Sequence, residues 1–279
     1  MQLPQEFVGL FEIAGIPCRL ACPDEGLWDL VVSRYTDFSV DAAPEFSLRV
    51  EVTAPPPDEV FSRWTGSFAR IGGQNDVLTI EGAGFHGAFD ESSGEGWIAQ
   101  PLDLSPLETF LTAICAGHLL KKDGFLLHAA AITADDGAYV FFGPSGSGKT
   151  TVAEQIGRGV ITDEMVAIRR DGERYRVFAV PWRGQRLDAP LAPPLAGLFR
   201  LRQGPKTAFT PLSPTAAVRQ LLPSVFFPRA DASEVSRFFE IGGELVTQVP
   251  CYEMRFAPDG SFWDTIPRRR IEETHGLSL

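Results

Sequence analysis

Lysine is scarce: Lys121, Lys122, Lys149 and Lys206 are the only four in 279 residues, against 21 Arg. Cysteine is scarce too. Cys18 and Cys22 form a C-x3-C pair, but no second Cys or His pair follows at a metal-ligand spacing. With Cys115 and Cys251 they read as free buried thiols rather than a zinc site or a disulfide framework. No apolar run reaches the roughly 18 residues of a membrane-spanning helix. Met1 to Ile16 carries Glu6 and Glu12 and no basic residue, unlike a secretory signal. These features suit a reducing cytoplasm. A basic surface is missing as well. The formal charge is -11, which speaks against sequence-independent binding to nucleic acid or to an anionic membrane.

That charge is unevenly placed. Residues 1–100 hold five Arg, no Lys and sixteen Asp and Glu, whereas residues 101–279 are balanced. The asymmetry suggests two units, an acidic one at 1–102 and a second at 103–279. If the acidic third does more than confer solubility, the partner it favours carries a basic face.

The first hundred residues read as short strands between turns. Phe46–Val52 alternates as F-S-L-R-V-E-V, the period of a half-buried strand. Phe7–Ile13, Pro17–Ala21, Phe68–Ile71, Val77–Ile80 and Gly96–Ala99 are further strand candidates, and Trp28–Tyr35 is a helix candidate. Pro55-Pro56-Pro57 is a stiff connector. A boundary is expected near Pro101. There Ser105-Pro106-Leu107-Glu108 reads as a capping box, and apolar residues recur at helical spacing up to Gly124. An α/β pattern follows: strands at Phe125–Ile132, Ala138–Phe142, Val160–Thr162, Val166–Arg169, Arg174–Val180, Leu198–Arg202, Ala208–Leu212 and Val249–Phe256. Helices are expected from Lys149, at Pro214–Leu222 and Ala232–Phe239, and near Phe262–Ile266.

Between the strand Ala138–Phe142 and the helix from Lys149 lies Gly143-Pro144-Ser145-Gly146-Ser147-Gly148-Lys149-Thr150, a full match to G-x4-G-K-[ST], followed by Thr151. Glycines let a backbone curl so that several N–H groups meet one phosphate, and the helix N-terminus adds partial positive charge. Lys149 then reaches the terminal phosphates of ATP, and the Thr150 hydroxyl can ligate Mg²⁺. Asp163-Glu164 follows the apolar run Val160–Thr162, 14 residues after Lys149. A carboxylate pair at a neighbouring strand end can take a proton from an incoming hydroxyl and hold the metal, with either allocation of the two roles. His128 interrupts the apolar string L-L-H-A-A-A. Taken alone it reads as a core histidine; its strand's pairing with the loop strand would bring it to Asp163.

The segments L-L-H-A-A-A-I, F-F-G-P-S-G-S-G-K-T-T and V-I-T-D-E-M-V-A-I resemble the catalytic domain of HPr kinase/phosphorylase and its relatives. The resemblance runs from Phe125 to Leu212, more weakly to Pro258, and leaves out the first hundred residues. It implies a mixed-sheet, phosphoenolpyruvate-carboxykinase-like phosphate-loop domain, here preceded by a smaller β-rich α+β domain. It also implies a kinase acting on serine of a small protein or peptide. By that resemblance Asp163 is the base, His128 the histidine of the preceding strand, and Thr150, Asp163 and Glu164 surround the metal. Glu164 stands where the family has a second aspartate. The family's arginine-and-glycine loop has only a short counterpart in Pro181-Trp182-Arg183-Gly184-Gln185-Arg186, so phosphorylase activity is expected to be weak or absent. Arg183 or Arg186 would neutralise the transferring phosphate.

The expectation is therefore a Mg-ATP-dependent kinase. A regulatory ATP-binding module without transfer, and a kinase of free serine, are the alternatives. No L-S-G-G-Q or N-K-x-D string occurs, which argues against ABC and GTPase readings. A homo-oligomer is compatible with everything above.

Overall fold

The computed structural model describes residues 6–55, 68–182, 189–257, 260 and 262–268. The chain is mixed α/β and divides into two compact units. One comprises Met1–Lys122, Val180–Trp182 and Phe227–Ser236, the other Asp123–Ala179, Arg183–Phe226 and Arg237–Leu279. Pro56, Pro57, Arg183 and Arg186 lie outside the described residues.

The first unit is built on a seven-stranded sheet of β1 (Phe7–Ile13), β2 (Ile16–Cys22), β3 (Phe46–Val52), β4 (Ala69–Gln74), β5 (Val77–Gly82), β6 (Phe85–Asp90) and β7 (Glu95–Gln100). The order is β1-β2-β3-β7-β6-β5-β4. Strand β3 runs parallel to both neighbours, and the remaining pairs are antiparallel. Helix α1 (Glu25–Tyr35) makes the crossover from β2 to β3, capped by Asp24, whose carboxylate accepts from the Leu27 amide at 2.9 Å. The alternation read in β3 is real: Phe46, Leu48 and Val50 are buried, while Arg49 and Glu51 face solvent. Strand β6 was not expected. Its Gly87 weakens the strand pattern, yet a Cβ there would lie 2.5 Å from the Trp97 carbonyl, so close pairing with β7 demands glycine.

Helix α2 (Leu104–Lys121) corrects the expected capping box. Asp103 is the N-cap, accepting from the Ser105 amide and hydroxyl, each at 3.0 Å. Glu108 is buried instead, with Arg34 3.7 Å away. A carboxylate at 103 outcompetes the Ser105 hydroxyl for the first free amides. The helix also groups with the first unit, whereas the boundary expected near Pro101 assigned it to the second. The reason is packing: its His118 ring lies 5.2 Å from Phe46 and 5.8 Å from Phe89 of the sheet. All four cysteines are free and buried, and burial pushes the Cys18 thiol up to about 12.

The second unit has two sheets. Strands β8 (Gly124–Leu127), β12 (Val166–Asp171), β13 (Arg174–Phe178) and β16 (Val225–Phe226) form one, in the order β13-β12-β8-β16. Strands β9 (Ala129–Ala134), β10 (Gly137–Phe142), β11 (Val160–Thr162), β14 (Leu195–Gln203), β15 (Ala208–Pro211) and β17 (Cys251–Phe256) form the other, in the order β11-β9-β10-β14-β17-β15. The single strand expected over Phe125–Ile132 is thus two strands in different sheets, parted at His128. Every residue of β10 is buried, as befits a central strand parallel to β14 and antiparallel to β9.

Helices α3 (Lys149–Ile156), α4 (Pro214–Leu221), α5 (Ala232–Gln248) and α6 (Phe262–Thr265) complete the described elements. Val152 and Ala153 of α3 and Phe262 of α6 join Tyr139, Phe141, Phe199, Met254 and Phe256 of the sheet in one core. Helix α5 runs past the expected end at Phe239. It continues through Gly242 and Gly243: the ring of Phe238, one turn earlier, covers Gly242 at 3.3 Å from where a Cβ would be, Val218 of α4 lies 3.6 Å from the same point, and among the described residues nothing lies within 4 Å at Gly243. Among the described residues no helix is long and apolar enough to cross a membrane.

Candidate functional site

The topology brings three strand ends together. Phe142 ends β10 opposite Ala129, the first residue of antiparallel β9, so His128 stands beside the exit from β10. Strand β11 pairs with the same β9, Thr162 opposite Ala131, so its C-terminal end points the same way. Beyond β10 comes the glycine-rich loop 143–148, beyond β11 come Asp163 and Glu164.

A cavity of about 360 Å³ opens at this junction. His128, Ser145, Gly146, Gly148, Lys149, Thr150, Thr151, Asp163, Glu164 and Gln203 line it. Of the residues singled out from sequence, the cavity gathers the histidine, both carboxylates, the lysine and both threonines. Gly143, Pro144 and Ser147 belong to the loop but not to the cavity wall. Arg183 lies outside the described residues. Gln203 was not anticipated. It is the last residue of β14, the parallel neighbour of the loop strand, and that position was the available signal.

Three loop glycines have positive φ: Gly143 (+156°), Gly146 (+76°) and Gly148 (+105°). Gly148 tolerates a side chain least, since a Cβ there would lie 2.5 Å from the Phe256 ring. Gly148 also starts α3, so the first free amides of that helix open beside the cavity-lining residues. Within the loop the Ser147 amide donates to the Pro144 carbonyl at 3.1 Å. Lys149 is buried, 7% exposed, with its ammonium donating to the carbonyls of Gly143 at 3.0 Å and Pro144 at 3.3 Å. Burial draws its pKa below the ordinary lysine value.

The carboxylate side is held by backbone. The Thr162 hydroxyl accepts from the amides of Glu164 at 3.1 Å and Met165 at 3.3 Å, a local turn that stops β11 and presents the next two side chains. The Ala129 amide donates to the Glu164 carbonyl at 3.1 Å, and the His128 amide to the Ser224 carbonyl at 2.7 Å. His128 is exposed at the cavity rather than packed in a strand, because the chain changes sheets at that residue. Asp163 and Glu164 are half-buried. Among the described residues no group of three or more His, Cys, Asp or Glu is placed to hold a metal on its own.

Fold and site together define a mixed α/β protein whose strand–glycine loop–helix unit faces two carboxylates and a histidine across a polar cavity. Residues 104–271 match the family described as SynChlorMet cassette protein ScmC, and the chain belongs to that family. Comparison with curated proteins finds no match.

Proposed function

We propose that the protein is a Mg-ATP-dependent phosphotransferase that moves the γ-phosphate to a hydroxyl, a serine of a peptide or small protein, on a phosphoenolpyruvate-carboxykinase-like phosphate-loop domain. One observation carries the reading: the G-x4-G-K-T loop shares a single cavity with His128, Asp163 and Glu164.

The residues fit both partners of such a reaction. The loop keeps side chains out of its curl at Gly143 and Gly148, which suits a cradle for phosphate oxygens. Thr150, Asp163 and Glu164 offer only oxygen donors, the chemistry Mg²⁺ selects, and Mg²⁺ commonly takes one or two carboxylates together with substrate phosphates. When bound, the metal would supply charge neutralisation along the transferring phosphate. In this reading the Lys149 ammonium leaves the loop carbonyls for phosphate oxygens. Asp163 accepts the proton of the attacking hydroxyl, Glu164 and Thr150 would hold the metal, and His128 orients Asp163 or the acceptor from the start of β9. The hydroxyl oxygen forms its bond to phosphorus as the bond to ADP breaks, and the proton ends on Asp163.

The test is transfer of labelled phosphate from ATP to candidate acceptors: a small carrier protein, a ribosomally made peptide and free serine. Lys149→Ala and Asp163→Asn are expected to reduce transfer by at least about a hundredfold. Wild-type transfer in Asp163→Asn would remove the base assignment. ATP binding with no phosphorylated product from any acceptor would favour a regulatory nucleotide-binding module.

A further inference from the structure

We infer that Gln203 is a positioning residue, half of a two-point clamp that holds the glycine-rich loop in its binding shape before any ligand arrives. The Gln203 carboxamide donates from Nε2 to the Gly146 carbonyl at 3.0 Å. That carbonyl belongs to the same peptide unit as the Ser147 amide, which donates to Pro144 at 3.1 Å. A trans peptide is planar, with its C=O and N–H pointing opposite ways. The Gly146–Ser147 plane is therefore held on both edges, from inside the loop by Pro144 and from another strand by Gln203. Local sterics do little to hold it. Gly146 sits at φ +76°, and among the described residues nothing lies within 4 Å of the place its Cβ would take.

The second point is Phe256. Gln203 and Phe256 are register partners on the parallel strands β14 and β17, so their side chains share one sheet face. The Phe256 ring fills the space under Gly148. One cross-strand pair thus grips the loop twice, at its crest through Gln203 and at its base through Phe256. Gln203 also lines the cavity, so release of the crest reshapes the wall where the phosphates would lie. A loop held in shape in the free protein loses less entropy on binding, and that gain shows as affinity.

The affinity arm of the test rests on the nucleotide reading above, but the exchange arm does not. In the full-length protein without ligand, amide hydrogen exchange is followed in the peptide spanning Gly143 to Thr150. Gln203→Leu keeps the bulk and loses the donor. Gln203→Glu keeps the shape and, as a carboxylate, has no proton to donate. Both are expected to exchange several-fold faster in that peptide than wild type, the loss of one hydrogen bond. Wild-type exchange in both variants overturns the clamp, as does fast exchange in Gln203→Leu alone, since a donor-less Gln203→Glu that still protects the loop would mean that the donated hydrogen bond is not what holds the crest. Calorimetry with Mg-ATP is expected to show about tenfold weaker binding by Gln203→Leu, with the catalytic loss falling on KM rather than kcat. A wild-type protein that binds no ATP would refute the phosphotransferase and leave the clamp to be decided by exchange.

Discussion

Gly148 meets two independent demands at one position. Its φ of +105° is outside the range that residues with side chains adopt without strain, and the Phe256 ring leaves no room for a methyl group. A loop that only needed to bend would require the first condition alone. Gly148→Ala is therefore expected to cost about 1–3 kcal/mol. For a chain of this size that lowers the melting temperature by a few degrees. Differential scanning calorimetry would read it. Mg-ATP binding should weaken in the same variant, because either the ring or the start of α3 must move. Gly146→Ala is the contrasting case: the space around it is open, so its cost should come from backbone strain alone. A larger melting-temperature loss at Gly146 than at Gly148 would contradict the role given to Phe256.

Helix α2 shows how burial decides a titration. Its His118 packs among Phe46 and Phe89, with Nδ1 2.9 Å from the Ile114 carbonyl, and desolvation draws its pKa below the ordinary imidazole value. Lys121 adds to the lowering, while the Ile114 carbonyl, Glu45 and Glu91 oppose it. The folded state thus keeps His118 neutral where the unfolded chain would take up a proton. Stability rises with pH wherever the unfolded state binds more protons, so this contribution is intact above about pH 6.5 and is lost as the pH falls toward the folded value. Urea midpoints measured from pH 7.5 to 5.5 are expected to fall more steeply in wild type than in His118→Gln. Equal slopes would mean that His118 does not carry the effect. The same helix marks how far the sequence could be read. Its existence was plain from Leu107, Phe110, Leu111, Ile114 and Leu119, all buried as the spacing implies. Its cap and its allegiance were not, because both depend on competition: Asp103 against Ser105 for the first amides, one sheet against another for the apolar face. The glycine-rich loop and the Asp163-Glu164 turn were legible because short-range spacing sets them. The split at His128 and the arrival of Gln203 were not, since both depend on which strands become neighbours far apart in sequence.

At the scale of the molecule, the acidic excess and the candidate chemistry occupy different units. The first hundred residues carry the whole net charge, and all ten cavity-lining residues fall in the other unit. That invites cutting the chain where the composition changes, near residue 102, and the structure says where such a cut fails. The sheet of the first unit has its inward face set by Phe46, Leu48, Val50, Ile80, Phe89 and Ile98, all buried. Helix α2 lies after residue 102, and twelve of its residues are buried. A fragment 1–102 keeps the strands and loses that cover. Several large apolar side chains then face water, at about 1.5–3 kcal/mol each, a total comparable to the entire stability of a small domain. Fragment 1–102 is therefore expected to bind a hydrophobic dye, to show poor amide dispersion in its NMR spectrum and to aggregate. Fragment 1–122 should show markedly better dispersion. It will still fall short of the intact chain, because Val180–Trp182 and Phe227–Ser236 also belong to that unit. A well-dispersed, monomeric 1–102 would mean that the sheet does not need α2, and the boundary suggested by charge would then be the true one.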